Sequence, residues 1–142
     1  MSFSDLPSDW PDLPVEGERH IADILDLMVG NRARRNGALL ILMCDEQRRP
    51  LQPILIEDLD ADAPRPLMLD EGLRTVAAGI AELAPRCSAL VALARDGSLQ
   101  VSVMDRAWFD AIKRAFSGEV ELIGVHLITP RGSTSLTDLW AA

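Results

Sequence analysis

An unbroken apolar run, Ala38 to Cys44, and a second apolar run, Leu51 to Ile56, stand on either side of the short polar segment Asp45-Glu46-Gln47-Arg48-Arg49-Pro50. Each run has the length of a strand, and the segment between them is too short for anything but a turn. The pair therefore reads as a β-hairpin buried on at least one face, because a strand open to water would alternate apolar and polar residues. A sheet with such a hairpin needs helices to cover it.

The rest of the chain supplies them. From about Glu16 to Arg35, Ile21, Ile24, Leu25 and Met28 recur at helical spacing, with acids early and arginines late as the helix dipole prefers; Gly30 ends or frays this helix. Asp70 to Ala84 carries the apolar stripe Leu73, Val76, Ala77, Ile80 and Leu83 and stops at Pro85. Ala89 to Ala94 is a further apolar strand, and Leu99 to Met104 is expected to extend or answer it across the turn dipeptide Asp96-Gly97. A third helix runs from about Val103 to Phe116, with Ser102 and Asp105 spaced as a capping box. Val120 to Ile128 is a long apolar strand, and Pro130-Arg131-Gly132 turns into a last segment, Ser133 to Trp140. The order is α-β-β-α-β-(β)-α-β-(β). The expected class is α/β (α+β), a mixed sheet flanked by about three helices, as one domain over residues 16–142. Residues 1–15 hold three prolines, three aspartates and Trp10 without a helical or strand period, and form an extended arm.

Charge and composition narrow the function. The 142 residues are 48% hydrophobic and 25% charged, a balance that builds a core without disulfides or a structural metal. A net charge of −8 argues against duplex nucleic acid or an anionic membrane as the partner. The basic clusters, Arg32, Arg34 and Arg35 with Arg48 and Arg49, read as solvated residues at a helix end and in the hairpin turn. No apolar run reaches the roughly 18 residues of a membrane span, and no basic-then-apolar leader follows Met1, so the expected location is cytoplasmic. Cys44 and Cys87 then read as small buried residues.

Familiar chemistries are hard to assemble from these residues. His20 and His126 are distant in sequence and neither cysteine belongs to a CxxC, so no local zinc pattern exists. Asp58, Asp60 and Asp62 have the spacing of a calcium loop, but Ala63 stands where the turn glycine is needed and Leu69 where the bidentate glutamate is needed. Phosphate-binding glycine loops are missing. His126 sits in an apolar strand and reads as a structural histidine. An enzyme site could be assembled only in three dimensions, with Asp96, Asp105, Arg106 and His126 as its polar candidates.

One constellation does resemble a known pattern. Ala92-x-Ala94-Arg95, followed after six residues by Ser102-x-x-Asp105, has the layout of the metal motif His-x-His-Pro…Ser-x-x-Asp, in which the aspartate opens a helix. On this spacing, and on the order of elements from about residue 17 to 140, the chain resembles the RadC-like branch of the JAB/MPN (JAMM) metalloprotease fold. The resemblance implies that Ala92, Ala94 and Asp105 are the metal positions, and that the catalytic glutamate's place, about eight residues before the turn residue Asp45, falls on Gly37. Two of three ligands are methyl groups and the general base is absent. A lone carboxylate does not hold a catalytic zinc. No cofactor and no catalytic residues are therefore expected, and Asp105 reads as a helix-capping acid.

The function expected is a non-catalytic protein-interaction or scaffold module, resembling an inactive JAB/RadC-like domain and working through a protein partner or self-association. A dimerising domain of the roadblock or longin type is the alternative, with an enzyme of unseen site behind it. The arm is the candidate partner-binding segment: Phe3, Leu6 and Trp10 among prolines and acids are too apolar for a solubilising tail.

Overall fold

The computed structural model describes residues 6–64 and 68–137. Its centre is a five-stranded sheet in the order β2-β1-β3-β4-β5, built from β1 (Ala38–Cys44), β2 (Pro50–Glu57), β3 (Ser88–Ala94), β4 (Glu121–Thr129) and β5 (Gly132–Ser135). The β1–β2 hairpin is antiparallel, β1 and β3 are antiparallel, β3 and β4 are parallel, and β5 returns antiparallel to β4. The sheet is mixed, as the pattern implies.

Helices cover both faces, which is why β1 is apolar throughout and β3 is apolar from Ala89 to Ala94. Leu39, Ile41, Val91 and Leu93 pack with α3 (Leu73–Leu83) and α4 (Val103–Phe116), whereas Leu40, Leu42, Leu90 and Ala92 pack with α1 (Glu18–Met28) and α2 (Asn31–Asn36). Neighbouring residues of a strand point to opposite faces, so a strand covered on both cannot alternate with polar residues. Cys44 and Cys87 are buried and free, one in each cluster. Burial, with the charge of Asp45 adding to it, pushes the Cys44 thiol up to about 12, so it stays protonated and inert. Among the described residues no helix is long and apolar enough to cross a membrane.

Four sequence expectations change. The segment from Glu16 to Arg35 is two helices rather than one: Val29 is extended, and α2 restarts after Gly30. Arg34 closes the break by donating from Nε to the Val29 carbonyl, an acceptor that a continuous helix would have used itself. That bond also corrects the reading of Arg34 as solvated, since only 8% of it is exposed. Leu99 to Met104 forms no strand. Backbone carbonyls at Asp96 and Gln100 are taken by the Arg95 guanidinium, which folds this stretch into a loop that ends at the Ser102 cap.

The fourth change concerns the arm. Trp10–Asp12 make one 3-10 turn, and Leu6 and Trp10 pack, partly buried, on the cluster around α1. Val15 is fully buried, and its N–H donates to the Arg48 carbonyl at 2.7 Å. Phe3 and Trp140 lie outside the described residues.

Candidate functional site

The Ser102-x-x-Asp105 spacing does what local chemistry asks of it. The Asp105 N–H donates to Ser102 Oγ and the Ser102 N–H donates to Asp105 Oδ2, a reciprocal capping box that starts α4. Asp105 has a second task. Arg95, the first residue beyond β3, donates from Nε to Oδ1 at 2.8 Å and from a terminal nitrogen to Oδ2 at 2.7 Å. The carboxylate is fully buried and the guanidinium nearly so. This bidentate fork is the strongest geometry an ion pair can adopt. Burial raises the Asp105 pKa, but the bonds from Arg95 and Ser102 outweigh it and hold the acid below its ordinary value; the same bond raises the pKa of Arg95. Both shifts favour the ionised pair.

Opposite this pair, the acidic loop from Asp58 to Asp62 closes over the start of β1. Asp60 Oδ1 accepts from the N–H groups of Asp62 and Ala63, the Leu59 N–H donates to the Gly37 carbonyl, and Trp108 Nε1 donates to the Ala61 carbonyl at 2.9 Å. Asp60 thus serves loop geometry, and Ala61 ties the loop to α4. Gly37 lies beneath the loop with φ at +90°, and a Cβ there would fall 1.9 Å from the Leu59 carbonyl oxygen. No residue with a side chain fits. An open cleft of about 560 Å³ remains, with Arg35, Asp62, Arg95 and Asp96 on its walls.

The two alanines of the motif do not join Asp105. Ala92 and Ala94 belong to the cluster on the α1 face, while the helix that carries Asp105 packs on the other face. Among the described residues, no three side chains of His, Cys, Asp or Glu are grouped as a metal would require. The metal implied by the resemblance does not fit these residues: the one carboxylate is committed to a guanidinium, and the methyl groups face an aliphatic core. It follows that Ala92→His with Ala94→His would overpack that core instead of completing a site. Destabilisation of about 3 kcal/mol or more is expected for the double variant, with no gain in zinc retention over the parent on equilibrium dialysis.

The other sequence candidates are dispersed as well. Arg106 is exposed on α4, Asp96 lies in the open cleft, and His126 sits on β4 between Ala92 and Ser135, on the opposite face from Asp105. The basic residues form no common face: Arg48 and Arg49 sit at the hairpin end of β1, paired with Glu121 and Asp45, while α2 precedes the other end.

A second cleft, of about 310 Å³, lies between α1 and β5. His126, Ser133 and Ser135 stand on its sheet side, Glu18 and Asp26 on its helix side, and Arg34 reaches into it from α2. Arg34 donates to the Thr129 carbonyl at 3.3 Å and to Asp26 Oδ1 at 3.0 Å in addition to Val29. Sequence reasoning missed both buried arginines. The only local sign was an arginine directly after an apolar strand or inside an interrupted helix, and its partner lies ten residues away for Arg95 and ninety-five for the Arg34 bond to Thr129. No family model matches this chain, and no curated protein matches it at a significant level.

Proposed function

We propose that this chain is a non-catalytic protein-interaction or scaffold module resembling an inactive JAB/RadC-like domain. The observation that carries the reading is the bidentate Arg95–Asp105 pair: the only acid of the motif is engaged by a resident cation, so the charge a metal would neutralise is already neutralised. Gly37 adds to it, because the corner assigned to a general base is closed by the Leu59 carbonyl.

The surface best suited to a partner is the outer strand β2. Its α1-side residues follow the register Leu40 to Leu55 and Leu42 to Pro53, yet Leu51 is 57% and Leu55 37% exposed. Both leucines belong to one edge strand, so the outer end of the sheet carries exposed apolar side chains. Pro53 removes one N–H from this edge, which disfavours strand addition and favours face-to-face packing. Leu6 and Trp10, the arm residues expected to grip a partner, are partly buried on their own core, and the turn that carries Trp10 lies against β2.

The test compares the parent with Leu51→Asp/Leu55→Asp by light scattering over a range of concentrations, together with zinc analysis of the parent after dialysis. The parent is expected to exceed its 15.5 kDa monomer mass as concentration rises, the variant to remain at that mass with unchanged circular dichroism, and zinc to be sub-stoichiometric. Stoichiometric zinc would end the non-catalytic reading; equal masses for both proteins would end the assignment of β2 as the contact surface.

A further inference from the structure

The cleft between α1 and β5 is lined by charged and hydroxyl side chains from three elements and a turn. Its volume, about 310 Å³, is that of a small-metabolite site. At its floor the Arg34 side chain is only 9% exposed. A guanidinium carries five N–H donors, and the bonds to Val29, Thr129 and Asp26 use Nε and one hydrogen on each terminal nitrogen. Each terminal nitrogen therefore has one more N–H to give. Buried donors of a charged group call for acceptors.

Charge is separated across the mouth. Asp26 and Arg34 neutralise each other, which leaves Glu18 on the helix wall and Arg131 on the turn between β4 and β5; among the described residues neither belongs to an ion pair. A simple anion would meet Glu18 and a simple cation would meet Arg131. A molecule bearing both charges meets neither penalty. Ser133 and Ser135 also line the cleft, and Ala22 and Leu99 offer apolar surface to the remainder of a ligand.

We propose that this cleft binds a small zwitterion of the free amino-acid class, its carboxylate accepting from Arg34 and Arg131 and its ammonium donating to Glu18. The proposal is independent of the Arg95–Asp105 corner and of the β2 surface. It is tested by calorimetric titration of the full chain with free L-amino acids at millimolar concentration, and with the N-acetyl and carboxamide forms of any that bind. One or more amino acids are expected to saturate a single site. Losing either charge from the ligand is expected to weaken binding about tenfold, since a hydrogen bond to a charged group is worth roughly that factor or more. Glu18→Gln and Arg131→Ala, both at exposed positions where the fold is not at stake, are expected to weaken it equally. Absence of binding by every amino acid overturns the proposal. So does undiminished affinity in both variants, or an N-acetyl form that binds as tightly as its parent.

Discussion

Arg95→Ala is expected to destabilise the protein by about 3–5 kcal/mol, because it leaves the Asp105 carboxylate ionised in a buried place with no cation. Urea unfolding at neutral pH reads the loss. Its dependence on pH identifies the cause. In the parent the folded pKa of Asp105 is depressed, so its contribution is fully present above the ordinary carboxylate value and is lost as pH falls through the lower, folded one. Without Arg95, burial is opposed only by the bonds from Ser102, and the folded pKa is expected to rise from its depressed position. The variant's deficit should then be greatest at neutral pH and shrink as acid neutralises the group. Asp105→Asn in the Arg95→Ala background should recover part of the stability at neutral pH, since an amide can keep the bond from the Ser102 N–H without a charge. A deficit that does not vary with pH would mean that Arg95 acts through packing alone.

Gly37→Ala is expected to cost about 3 kcal/mol or more. Two separate penalties combine there: a φ of +90° that L side chains rarely adopt, and a Cβ at 1.9 Å from the Leu59 carbonyl oxygen. Backbone cannot yield as a side-chain tip can, so the loop from Asp58 to Asp62 must lift, and the bond from Trp108 to Ala61 goes with it. Limited proteolysis should cut the variant within this loop, and the emission of Trp108 should shift to the red as its ring meets water. Gly118 provides the comparison, with a φ of +77° but nothing within 4 Å of a Cβ. Alanine there carries only the backbone strain, about 1 kcal/mol. If the two variants lose equal stability, the contact with Leu59 is not what demands glycine at position 37.

Local chemistry alone determined much of this molecule. β1 and β3 are legible as buried strands because covering both faces leaves no polar position from Ala38 to Cys44 or from Ala89 to Ala94. The capping box at Ser102 and Asp105 is legible because its two bonds span three residues. The edge position of β2 was not: Gln52 and Pro53 interrupt Leu51 to Ile56 without saying which face is open, and only the strand order leaves Leu51 and Leu55 exposed. The roles of Arg34, Arg95 and Gly37 lay beyond sequence for the same reason. Asp105 occupies one capping position whether or not a guanidinium meets it, and nothing within the short stretch around Gly37 announces a carbonyl from residue 59. Spacing along the chain sets which elements form and how they begin and end. Which buried charge is neutralised, which glycine is irreplaceable and which face stays open depend on contacts between residues far apart in sequence, and those exist only once the sheet has brought its layers together.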